Sequence, residues 1–241
     1  MSDPPEPSSE RRSWTAPLTS RVRAAPARFA GVRHRLPDGA PRVALTFDDG
    51  PDPRYTPTLL DLLADHGVVA TFFLVGRRAE RHPELVVRMV HEGHAVGSHS
   101  WSHPDPHGAS LRRLREEYRR GKRAVEATTG MPVPLFRPPM GHVAISSAAA
   151  AAMARVRPWL WTRDPSDWVP DRTVDDILES LGDLRSGDVI LLHDGIELPV
   201  SDAALDRSAT LGAVPVLIRR AKAAGLDLVT LPPVRVSRAR P

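Results

Sequence analysis

From Pro41 onward, short β-type runs alternate with stretches of helical spacing about seven times, and this repetition limits the folds open to the chain. The strand candidates are Arg42–Phe47, Val69–Leu74, Ala95–Ser98, Leu135–Arg137, Pro158–Trp161, Asp188–Leu192 and Asp227–Leu231. Between them, apolar residues recur at helical intervals. Leu59, Leu62 and Leu63 make one such face, with Gly67 as its stop. Pro83 suits the first turn of a helix that buries Val86, Met89 and Val90. Leu111 to Thr128 reads as a long helix with a charged surface, ending at Gly130. Pro215 fits the first turn of a last helix, with Leu217, Ile218 and Ala221 inward and Gly225 at its end. Such alternation needs crossover connections, and so predicts parallel strands in an α/β fold. A barrel or near-barrel in a single domain is the preferred closure; an open doubly wound sheet is the alternative. The polar motifs all follow the C-terminal ends of strand candidates, where barrel enzymes assemble their sites.

The chain has 241 residues, enough for one large core, with 41% hydrophobic and 26% charged residues, as in soluble globular proteins. No apolar run reaches the ~18 residues of a membrane span. Cysteine is absent, which excludes disulfides, thiolate metal sites and a cysteine nucleophile. No glycine-rich phosphate loop follows the first strand, which counts against nucleotide binding. The net charge is +4 and the pI about 10.2. Only Lys122 and Lys222 are lysines, so the basic excess reads as an arginine bias. No basic run interleaved with aromatics marks a nucleic-acid groove, and no nucleic-acid partner is expected.

Residues 1–40 are rich in Pro, Ser, Arg and Ala and read as a flexible N-terminal tail before a domain spanning 41–235; residues 236–241 form a short C-terminal tail. Arg11-Arg12 resembles a twin-arginine export signal, but no apolar stretch of about 7–15 residues follows. No signal peptide is read, so a cytoplasmic location is expected; a misassigned N-terminus would allow an extracellular or cell-wall one.

Chemistry concentrates in five segments. Thr46-Phe47-Asp48-Asp49-Gly50-Pro51-Asp52 sets two adjacent carboxylates at the end of the first strand. On extended backbone their side chains point apart, so one can bind a metal while the other faces substrate. His99-Ser100-Trp101-Ser102-His103 sets two imidazoles four residues apart, able to converge on one ion if the segment makes a helical turn. Asp49, His99 and His103 together give two nitrogens and one oxygen, a set that suits zinc, with nickel or cobalt as substitutes. Phe136-Arg137-Pro138-Pro139-Met140-Gly141-His142 is a rigid loop that can present a backbone N–H, and Arg137 can pair with a site carboxylate. Asp164-Pro165-Ser166-Asp167-Trp168 and Leu191-Leu192-His193-Asp194 complete the set. His193 at a strand end is a general-acid candidate, a buried aspartate can orient it, and Trp168 with Leu191 or Leu192 can wall an apolar pocket. Taken singly, most of these segments would pass as turns, caps or packing residues; their combination gives them meaning.

In this order the five segments resemble the polysaccharide deacetylase family, the fourth carbohydrate esterase family, also known as the NodB-homology domain. The resemblance runs from about Val43 to about Leu231 and includes Val69-Ala70-Thr71-Phe72-Phe73-Leu74-Val75-Gly76 and Gly93-His94-Ala95-Val96-Gly97-Ser98-His99. It implies a distorted (β/α)7-type barrel with parallel strands, and a hydrolase that removes acetyl groups from N-acetylated sugars, often chitin-type oligomers or peptidoglycan, with one divalent metal ion. By position it implies Asp48 as the base, Asp49, His99 and His103 as metal ligands, and Arg137 as the partner of the base. It implies Asp167 as the support of the catalytic His193, and Trp168 and Leu191 as the lining of the acetyl pocket. Met140 stands where the family usually carries an aromatic residue whose backbone N–H serves the oxyanion. The alternatives are a deacylase of a small intracellular N-acyl compound and a non-catalytic carbohydrate-binding relative. The oligomeric state is not legible.

Overall fold

The computed structural model describes residues 31–232. Within them seven strands and seven α-helices alternate. Strand β1 (Arg42–Asp48) is central, flanked by β2 (Thr71–Leu74) and β6 (Val189–His193). Beyond β2 follow β3 (Ala95–Ser98), β4 (Leu135–Phe136) and β5 (Arg157–Pro158), giving the order β5-β4-β3-β2-β1-β6. Strand β7 (Asp227–Leu228) pairs with the first two residues of β1. Every pairing is parallel. The isolated bridge Arg163↔Ile190 carries the chain after β5 back to β6, and a second, Arg33↔Trp159, adds the segment before β1 beside β5. The sheet therefore curls into a distorted (β/α)7-type barrel in one domain, and the open doubly wound alternative is set aside.

Side-chain alternation along β1 explains how one strand serves both core and site. Val43, Leu45 and Phe47 point outward into the main core, against Leu59, Leu60 and Leu63 of α1 (Thr56–Asp65) and Leu217 and Ile218 of α7 (Ser208–Ala223). Ala44 points inward, against Phe73, Leu135, Trp159 and Val189. Thr46 and Asp48 continue that inner row toward the C-terminal mouth. A strand buried on both faces is the pattern of a parallel sheet covered by helices.

Three helix expectations need correction. In the helix opened by Pro83 the buried positions are Leu85, Val86 and Met89, so Leu85 rather than the half-buried Val90 completes the face. In α1 the buried positions are Thr56, Leu59, Leu60 and Leu63, so Leu60 rather than Leu62 completes the inner stripe. Helix α7 starts at Ser208, leaving Pro215 inside it rather than in its first turn. The missing N–H costs about 3 kcal/mol in a bare helix. Here Thr210, Ala213, Val214, Leu217, Ile218 and Ala221 form a continuous buried face that offsets it. The helix opened by Pro83 is α3 (Pro83–His91), and the long charged helix is α4 (Leu111–Thr129), closed by Gly130 in the left-handed conformation. The remaining helices are α2 (Gly76–Arg81), α5 (Ile145–Met153) and α6 (Val174–Leu181).

Part of the stretch read as tail belongs to the folded unit. Leu36 is buried in the inner core and donates its N–H to the Gly187 carbonyl, and Leu160 donates to Arg33. Residues 1–30 and the stretch from 233 onward, including 236–241, lie outside the described residues. Among the described residues no helix is long and apolar enough to cross a membrane.

Candidate active site

The ends of β1, β3, β4 and β6 meet at the mouth of the barrel. Asp48 is the last residue of β1 and is the register partner of His193 on β6. Arg137, just past β4, is fully buried. Its Nη1 donates to Asp48 Oδ1 at 2.7 Å and to Thr46 Oγ1 at 2.8 Å, and its other nitrogens donate to the Trp159 and Leu160 carbonyls. A guanidinium this deep needs such a full set of acceptors. Burial pushes the Asp48 carboxyl above its ordinary range, opposed by Arg137.

Asp49, His99 and His103 each bring one ligand atom within 4.8 Å of the others, and all three are buried. Asp49 Oδ1 lies 3.4 Å from His99 Nε2 and 3.6 Å from His103 Nε2. That oxygen is buried without a hydrogen-bond partner, while Oδ2 accepts the Glu197 N–H at 3.1 Å. A buried carboxylate oxygen left bare is costly unless a cation meets it. His99 Nδ1 sits 2.7 Å from the Arg137 carbonyl, which fixes the tautomer and turns Nε2 toward Asp49. Burial, aided by the nearby His103, pushes the His99 imidazole down to about 3, so it stays neutral, the form that ligates. Burial lifts the Asp49 carboxyl, but His103 and His99 outweigh it and hold it below the usual range. Two imidazoles and one carboxylate fit a divalent metal ion.

The local backbone differs from expectation at two points. The two carboxylates do not diverge: Asp48 Oδ2 lies 3.6 Å and Asp49 Oδ1 3.4 Å from the same His99 Nε2. Asp49 leaves the strand with φ +69°, which swings its side chain back. His99 and His103 converge through a loop rather than a helical turn, with Ser100 and His103 at φ +67° and +50°. The N-terminus of α2 holds that loop, because Gly76 and Arg77 donate to the Ser100 and Trp101 carbonyls. Left-handed backbone at non-glycine residues costs of order 1–3 kcal/mol each and collects at functional sites.

His193 Nδ1 is 2.7 Å from Asp167 Oδ1, which leaves Nε2 for the cleft. Asp167 is held in turn by the His193 N–H, Thr210 Oγ1 and the Arg207 guanidinium. Burial alone would lower the imidazole, but Asp167, helped by Asp49 and Asp48, raises it to about 9. Leu191 is buried in β6, whereas Trp168 is half-buried beside Asp167. Met140 is 53% exposed at φ +55° and stands outside the buried cluster. Sequence reading missed Thr46, Arg207, Thr210 and Glu197. Thr46 alone had a signal, its inward register two residues before Asp48; Arg207 and Thr210, at the start of α7, and Glu197, on the loop after β6, come from distant segments.

The geometry has counterparts among known proteins. The polysaccharide deacetylase family profile matches residues 35–159. A peptidoglycan-N-acetylglucosamine deacetylase of Bacillus cereus is 36% identical over 202 residues, 83% of this chain and 91% of that protein. A chitooligosaccharide deacetylase of Sinorhizobium fredii is 39% identical over 204 residues, 80% of this chain and 92% of the relative. The crystal structure of the Bc1960 peptidoglycan N-acetylglucosamine deacetylase superposes with a TM-score of 0.75 at 32% identity, covering 87% of this chain and 95% of that one. Curled parallel sheet, sequence and length thus agree, and the chain belongs to the polysaccharide deacetylase family.

Proposed function

We propose that this chain hydrolyses the acetamido group of N-acetylated sugars, of the chitin-oligomer or peptidoglycan type, to acetate and a free amine. One observation carries the reading: a buried carboxylate held by Arg137 and an imidazole held by Asp167 stand on adjacent strands beside the Asp49, His99, His103 cluster. The relatives named as deacetylases of peptidoglycan and chitooligosaccharides support the substrate class.

Asp49, His99 and His103 would hold the metal, with zinc first and cobalt or nickel as substitutes. Such an ion supplies Lewis-acid polarisation of the acetyl carbonyl and activation of water. Asp48 is the base. Arg137 occupies its Oδ1, so Oδ2 is the atom that takes the proton from the attacking water. As the water oxygen bonds to the acetyl carbon, negative charge gathers on the carbonyl oxygen, and the Met140 N–H donates to it. His193 Nε2 then gives its proton to the sugar nitrogen as the C–N bond breaks, because an amide nitrogen leaves poorly as an anion. Asp167 keeps His193 in the donor state and in the right tautomer. The proton on Asp48 returns to solvent or to His193, restoring the site.

The test is acetate release from N-acetylglucosamine oligomers by protein stripped with a chelator and then reloaded with zinc. Release that vanishes on stripping and returns on reloading is expected. No release from reloaded protein that has bound zinc would reject this substrate class and direct attention to small N-acyl compounds.

A further inference from the structure

We propose that Arg78 and Glu197 form a clamp that sets Asp49 for metal binding, a role that rests on the metal-centre reading above. Asp49 has two carboxylate oxygens with different fates. Oδ2 accepts the Glu197 N–H at 3.1 Å. Oδ1 has no hydrogen-bond partner and faces His99 and His103. The Glu197 N–H therefore decides which oxygen is left for the ion and fixes the rotation of the carboxylate. A backbone donor on the loop after β6 can do this only if the loop is held still.

Arg78 holds it. From α2 its Nη2 donates to the Ile196 carbonyl at 2.7 Å and its Nε to Glu197 Oε2 at 2.5 Å. Its Nη1 reaches Asp52 Oδ2, on the loop that leaves Asp49, at 3.4 Å. One guanidinium thus joins the segments on both sides of the Asp49–Glu197 hydrogen bond. Arg77 pairs with the other oxygen of Glu197. The side chains of Glu197, Asp52 and Arg78 are 3%, 4% and 17% exposed, so little water competes for these bonds. Gly195 makes the approach possible: a Cβ there would stand 2.7 Å from Arg78 Nη1 and 3.3 Å from the Asp49 carbonyl. Partners one step removed from a metal typically contribute 10–100-fold in affinity by orienting its ligands.

The experiment is a zinc titration of metal-free protein against a chromophoric chelator, with melting curves of the metal-free forms alongside. Arg78→Ala is expected to weaken zinc binding by about 10–100-fold, with Arg78→Lys recovering part of the loss. Arg54→Ala is the control: Arg54 pairs with the same Asp52 but its side chain is 52% exposed, and it is expected to leave affinity unchanged. A folded Arg78→Ala that binds zinc like the parent overturns the clamp. If Arg78→Ala does not fold, Arg78→Lys and Glu197→Gln carry the test, and parental affinity in both overturns it. A parent chain that takes up no zinc would instead remove the metal-centre reading itself.

Discussion

Asp48 and His193 are register partners on adjacent parallel strands, so the proposed base and acid emerge side by side at the mouth of the barrel. Strand spacing sets their backbones about 4.8 Å apart, and different partners give them opposite tasks. Arg137 takes one oxygen of Asp48 and leaves the other to accept a proton. Asp167 takes Nδ1 of His193 and leaves Nε2 to donate one.

The pH profile follows from that division. The protonated imidazole is the donor, so activity is present below the His193 pKa and is lost as pH rises through about 9. A dication on Asp49 cancels part of the carboxylate charge that also raises His193, which moves the limb of the loaded enzyme somewhat lower. Asp167→Asn removes the main charge that raises it and leaves burial, which lowers the imidazole, opposed by Asp49 and Asp48. The alkaline limb of kcat/KM should then move down by about two pH units, with about 10-fold lower activity at pH 8 as the protonated fraction falls. An unmoved limb in Asp167→Asn would remove His193 as the acid.

Asp194 gives a stability prediction of its own. Burial raises its carboxyl to about 7, against the Thr56 hydroxyl and the Arg78 charge, which lower it. The folded chain therefore keeps a proton that the unfolded chain releases near 3.8. Stability falls as pH rises between those two values and stays reduced above them. Asp194→Asn retains a carbonyl acceptor for Thr56 and has no charge to bury. Its melting temperature should exceed the parent's at pH 8, by about 2–4 °C per kcal/mol recovered in a domain of this size. The gap should close near pH 4. A variant less stable than the parent at pH 8 would show that the ionised carboxylate is needed.

Gly121 on α4 supports the histidine loop from behind. A Cβ there would lie 2.2 Å from the Ser100 carbonyl carbon and 2.3 Å from its oxygen. Gly→Ala inside a helix gains about 1 kcal/mol intrinsically, whereas overpacking costs about 1–3 kcal/mol. The clash is with backbone, which cannot rotate aside, so the clash wins. Gly121→Ala should lower the melting temperature and weaken zinc binding together, because Ser100 lies between His99 and His103. Unchanged zinc affinity would show that the loop moves without its ligands.

The repeated alternation of strand and helix was enough to read a parallel α/β fold, whereas the choice of a barrel over an open sheet rested on the polar motifs at the strand ends. The five motifs were legible because each follows a strand end within a few residues. The local routes were not. Asp49 turns back by a left-handed φ, and Ser100 and His103 do the same; tertiary contacts impose those conformations, which residue type does not announce. Pro215 misled for a related reason: a buried helical face outweighs the propensity of one residue. The hands that hold the site, Thr210 and Arg207 at the start of α7 on Asp167 and Glu197 on Asp49, come from segments far away in sequence. No spacing rule reaches them.

The most direct test compares Asp48→Asn with the parent in two measurements on the same preparation, zinc affinity and acetate release from N-acetylglucosamine oligomers. Asp48 is read as the base and not as a ligand, so the variant should keep its zinc and lose turnover by about 10²-fold or more. Turnover retained in zinc-loaded Asp48→Asn would contradict the account.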